Sequence, residues 1–213
     1  MEYINVTYNE KDLVKKMGAR FDFNNKLWYI PPDMGESNKK EILKKWGLSK
    51  QVVLIGEDKN YGGDDLFVDL IPKSCWFKNV RTSIARKDWD ILRKHIYSRV
   101  NYICECCGID TKINKIRLEA HERWHYNKRE KIQKLVRLVA LCSDCHLSTH
   151  IGFADIRGLY DKAFNHLKKI RNENSEDCNR HIERSFKLWD DRNKYKWELD
   201  ISLITNNKFS IKY

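Results

Sequence analysis

A chain of 213 residues can bury one sizeable core or two small ones, and 41 Lys and Arg against 30 Asp and Glu give it a net charge of +11. No apolar run approaches the ~20 residues of a membrane helix, and the polar start Met-Glu-Tyr-Ile-Asn-Val-Thr lacks a signal-peptide core, so we expect a soluble, cytoplasmic protein with no membrane partner. The basic surplus points instead to a polyanion, most often nucleic acid.

In chain order, Tyr3 to Thr7 alternates like a strand, and Asn9 is placed to cap a helix that runs to Met17 and stops at Gly18. Arg20–Phe23 and Leu27–Ile30 then flank Asn24-Asn25-Lys26, a turn-forming triplet, which predicts a hairpin. Pro31-Pro32 ends its second strand, and Ser37 to Trp46 reads as another helix. Residues 1–50 thus form a small module whose aromatics are expected to fill its core. The pattern V-x-Y-x-E-K-D, G-A-R-F-D, K-x-W-Y-I-P-P resembles a short accessory module attached to DNA-processing proteins, including primase- and topoisomerase-like ones.

Residues 51–65 pair a short apolar strand, Val52 to Ile55, with the acidic, glycine-containing run Glu57 to Asp65, and read as a linker. Asp88 can cap a helix from Trp89 to about Arg99, with Trp89, Leu92 and Ile96 on its apolar side. The aromatics of Cys75-Trp76-Phe77 are expected in the core. Beyond His150, Ala154–Ile170 is predicted as one helix and Cys178–Arg192 as another, separated by the polar break Asn172–Asp177. The tail from Trp197 supplies a strand or frays.

Chemistry concentrates between Cys104 and His150. Cys104-x-x-Cys107 and Cys142-x-x-Cys145 are two knuckles at zinc spacing, expected to join as one tetrahedral four-thiolate site holding a structural Zn²⁺. Cys106 reads as a spare thiol, and Cys75 and Cys178 as buried small residues. His146 and His150, four apart, share one face of a helix, and His121 lies upstream on a strand. Charge peaks here as well: residues 76–150 carry a net +8. No functional reading attaches to His95, His166 or His181.

The arrangement C-x-x-C, E-A-H-E, L-C-x-x-C-H-x-x-x-H resembles the zinc-knuckle branch of the HNH endonucleases, over roughly residues 66–155. The resemblance implies an α+β chain: the N-terminal module, the linker, a ββα-metal nuclease domain over 66–155, and a helical extension over 156–213. It implies metal-dependent hydrolysis of DNA phosphodiester bonds, with His121, His146 and His150 holding one divalent cation (Mg²⁺, Mn²⁺, Ni²⁺ or Zn²⁺). Glu122 falls at the general-base position, where the family commonly has His, with His125 as the fallback or His121 itself as the base. Gln133, rather than Asn127, falls nearest the family's middle Asn. Lys128, Arg129, Lys131, Lys134 and Arg137 are read as phosphate contacts, with Arg81, Arg86, Arg93 and Lys94 as weaker ones. The sequence leaves RNA open as a substrate, and double-strand cutting by a single-metal site would imply a homodimer. Two rival readings remain. One is a non-catalytic nucleic-acid-binding zinc protein on an HNH scaffold; the other makes the N-terminal module the element that recruits a protein partner.

Overall fold

Two units divide the chain at residue 53, and the computed structural model describes residues 2–23, 27–48 and 54–206. In the first unit, Glu10 reaches back to the Thr7 hydroxyl (2.6 Å) and starts a 3-10 turn at Tyr8–Glu10. That turn runs into helix α1 (Lys11–Lys16), so the cap is Thr7 rather than Asn9. Gly18, at φ +96°, ends the helix as expected. Strands β1 (Glu2–Ile4), β2 (Arg20–Asp22) and β3 (Leu27–Ile30) form an antiparallel sheet of order β1-β3-β2, followed by α2 (Glu36–Trp46). Ile4, Val14, Ala19, Ile30, Ile42 and Trp46 make the core, with Trp28 packed against it. The module therefore has its own core, but not all its aromatics fill it: Tyr8 and Phe23 are exposed. The predicted hairpin turn at Asn24-Asn25-Lys26 lies outside the described residues.

The second unit is built on two long antiparallel strands, β4 (Leu118–Asn127) and β5 (Ile132–Cys142), with His121 opposite Val139 and Leu118 opposite Cys142. One extra residue, Val136, bulges out of β5 opposite the Arg123–Trp124 step. Strand β6 (Glu198–Asp200) pairs parallel to the start of β5, leaving β4 as an edge. Helices α3 (Val80–Ser83) and α4 (Arg86–Arg99) precede the knuckles, and α4 packs on both long strands through the buried Leu92 and Ile96. It starts at Ala85, so Asp88 lies in its first turn instead of capping it.

After β5 come α5 (Ser143–Thr149), α6 (Ile151–Ile156), α7 (Tyr160–Arg171), α8 (Ser175–Asn193) and α9 (Ser202–Thr205). The single helix expected over 154–170 is two, broken at Gly158, where φ is +66°. Ile156, at the end of α6 beside that break, is 82% exposed. Asn172 (φ +51°) ends α7, and the Asn174 side chain caps α8.

Residues 54–65 belong to the second unit and are not a linker. Arg123 and Arg137, buried opposite each other on β4 and β5, both donate to the carbonyls of Tyr61 and Gly63. Glu57 accepts from the Arg99 guanidinium and the Leu138 amide. Leu54 and Ile55 form no strand, and Val52 lies outside the described residues. Trp76 and Phe77 reverse their expectation too, being 52% and 86% exposed while Cys75 beside them is buried.

Candidate metal centres

The four knuckle cysteines converge because β5 ends where the second knuckle begins. Cys142 closes the strand and Cys145 sits in the first turn of α5. The first knuckle docks onto the same strand through Glu105, whose amide donates to Ala140 O (2.9 Å) and whose carboxylate accepts from the Ala140 amide. The Sγ atoms of Cys104, Cys107, Cys142 and Cys145 then lie within 4.8 Å of one another. Hydrogen bonds from Cys142 and Cys145 bring the Cys104 thiol well below its ordinary value, and the shared contact with Cys104 pushes Cys142 up to about 12. Four packed sulphurs cannot all ionise without a cation, and this donor set fits tetrahedral Zn²⁺. Cys106 stays outside the group, 3.8 Å from the Arg123 guanidinium, as a spare thiol should. Cys75 and Cys178 are buried. Sequence reasoning passed over His166, which α7 brings to 3.2 Å from Cys145 Sγ, the place of an outer-shell donor to a metal thiolate.

The second group is His121 on β4, His146 on α5 and His150, the non-helical residue that caps α5 and leads into α6. Their ring centroids are 4.8 to 5.3 Å apart and one nitrogen of each lies within 4.8 Å of the others. Burial holds all three imidazoles below their ordinary value, His150 at about 3, so each keeps a free lone pair at neutral pH. Three neutral imidazoles facing one another suit a divalent cation of the borderline kind. Glu119, two residues before His121 and therefore on the same sheet face, brings Oε2 to 3.7 Å from His146 Nδ1. Sequence reasoning gives it no role although it opens the E-A-H-E motif; strand alternation is the signal that finds it.

The other anticipated residues are not brought to the histidines. Glu122 follows His121 in an unbulged stretch, so it points to the opposite face, where its carboxylate accepts from the Val80 amide at 3.3 Å. Burial raises it to about 7, but away from the trio. Gln133 pairs with Tyr126, six positions along β5 from Val139, or ~20 Å. It is buried with both amide atoms unpartnered. His125 is exposed beside the Tyr61 ring.

The basic residues divide. Lys128, Arg129 and Lys131 sit at the β4–β5 turn, with Asn127 organising it through the Arg129 and Glu130 amides. That turn is also ~20 Å from His121. Lys128 pairs with Asp191 and Lys134 with Asp200. Arg137 is buried on Glu105 and cannot meet a phosphate. Arg93 pairs with Asp90, while Arg81, Arg86 and Lys94 are exposed.

A family model described as a domain of unknown function, DUF5710, matches residues 1–46. Over 31 residues the chain is 55% identical to DNA primase TraC of Escherichia coli, a stretch amounting to 15% of this chain and 2% of that protein. No solved structure matches the chain. No helix among the described residues is long and apolar enough to cross a membrane.

Proposed function

We propose that the second unit is an HNH-type, metal-dependent endonuclease that hydrolyses DNA phosphodiester bonds. The observation that carries this reading is the convergence of His121 from a strand, His146 from the helix that follows the hairpin, and His150 from that helix's C-terminal cap. A divalent cation held there supplies Lewis-acid stabilisation of charge on the phosphate and the departing oxygen. The imidazoles bind it neutral, and Glu119 orients His146 through Nδ1. Glu119, 3.7 Å from His146 Nδ1, is the carboxylate to which we assign the proton that the attacking water gives up. The four cysteines keep α5 in register with β5. DNA as the polymer is supported by the net charge of +11 and by the short similarity to a DNA primase.

One observation favours the non-catalytic alternative: Glu122, the residue at the family's base position, is spent on the Val80 amide. Supercoiled-plasmid cleavage with Mg²⁺, Mn²⁺, Ni²⁺ or Zn²⁺ separates the two. Nicking or linearisation should vanish in His121→Ala and His146→Ala with zinc content retained. It should fall ~100-fold or more in Glu119→Gln and persist within a few fold in Glu122→Gln. A wild type that binds DNA and never cuts with any of these metals leaves the binding-module reading standing.

A further inference from the structure

We infer that the segment from Asp69 to Val80 is a stacking platform for unpaired bases, holding single-stranded DNA beside the histidine trio. The choice of DNA rests on the nuclease reading above; the platform itself rests on geometry. The segment is pinned at both ends next to ligand residues. The Asp69 amide donates to Thr149 O at 3.0 Å, and Thr149 immediately precedes His150. At its other end the Val80 amide donates to Glu122, which immediately follows His121. Since β4 is an edge strand and Glu122 faces away from His121, the segment wraps that open edge from one sheet face to the other.

Its side chains are sorted by this wrapping. Cys75 and Val80 are buried, which forces Trp76 and Phe77 outward, where they are 52% and 86% exposed. The indoles of Trp76 and Trp189 both donate to Ile71 O, at 2.8 and 2.9 Å, so their polar atoms are spent on the backbone and what they offer is ring surface. Residues 70–87 contain five Lys and Arg and no Asp or Glu. Lys73, Lys78 and Arg81 are exposed and form no ion pair with a carboxylate among the described residues, and Lys73 Nζ lies 5.4 Å from the Trp189 ring centre. Outward rings flanked by uncompensated cations match a strand that presents bases and phosphates together. A duplex hides its base faces and offers these rings nothing.

The test is fluorescence anisotropy on the full, zinc-loaded chain carrying His121→Ala, so that no strand is cut, with labelled oligo(dT), oligo(U) and a duplex of equal length. Trp76→Ala/Phe77→Ala should weaken oligo(dT) binding roughly tenfold or more and leave the duplex within about twofold. Trp76→Phe/Phe77→Tyr, which keeps the rings, should restore it, and this pair decides the matter if the alanine pair misfolds. Lys78→Ala/Arg81→Ala should weaken both ligands and flatten the salt dependence. Unchanged oligo(dT) binding, equal loss on the duplex, or tighter binding of oligo(U) overturns the inference. So does lost self-association with nucleic-acid binding intact, which would make the rings a protein-docking face. Binding is read without cleavage. A wild type that never cuts therefore sinks the nuclease reading alone, and a cutting wild type with indifferent rings sinks the platform alone.

Discussion

Gly62 shows how narrowly single residues are fitted in the second unit. It sits at φ +74°, and a Cβ there would lie 2.3 Å from Arg123 Nη1. That guanidinium is buried on the Tyr61 and Gly63 carbonyls and has nowhere to retreat. Gly62→Ala should therefore cost about 2–3 kcal/mol in urea denaturation, and a variant of wild-type stability would show that the 54–65 segment is loosely held. His95 makes a pH-dependent contribution. Burial, with Arg99 and Lys59 adding repulsion, lowers it to about 4. The folded state thus prefers the neutral ring. Above pH 6.5 the group costs nothing; as pH falls from 6.5 towards 4 the unfolded chain takes up the proton first, and stability is lost. His95→Gln removes that slope and should gain about 1–2 kcal/mol on the wild type at pH 5 relative to pH 7.

At the scale of elements, the hairpin β4–β5 and helix α5 organise both metal groups. Cys142 and Cys145 bracket the start of that helix, so elemental analysis should find tightly held zinc in the wild type and none in Cys145→Ser. A large drop in melting temperature should accompany it, since structural zinc binding is itself folding free energy. Both groups were legible in the sequence because ligand spacing is local: two turns of C-x-x-C and one i, i+4 histidine pair need only short-range geometry. What was not legible depended on which side of an extended strand a residue takes. Glu122 and Glu119 are equally good carboxylates on paper, and only unbroken alternation through His121 sends one away and brings the other in. The Glu57–Asp65 run looked like a linker because its acids and glycines suit solvent. The buried Arg123 and Arg137 that recruit its carbonyls lie some sixty residues or more downstream. Trp76 and Phe77 were assigned to the core on hydrophobicity, which does not register that Cys75 and Val80 fill the inward places.

For the whole molecule, the first unit closes its core with residues before Gly47. A chain lacking residues 1–53 should keep its zinc content and melt within a few degrees of the second transition of the full chain in calorimetry. Loss of the zinc site on truncation would contradict the division into units. Basic charge is concentrated on residues 76–150, where a duplex and an unpaired strand would both be drawn by long-range attraction and told apart only by the exposed rings.

Helix α5 carries Cys145 in its first turn and His146 directly after it, so the two candidate ion sites share one seven-residue element. Whatever free energy an ion at the cysteines contributes to fixing that helix, the histidines gain as affinity, and linkage requires the same factor in return. On the proposed function, the two sites would be thermodynamic effectors of each other, and zinc supply at one would be a dial on occupancy at the other.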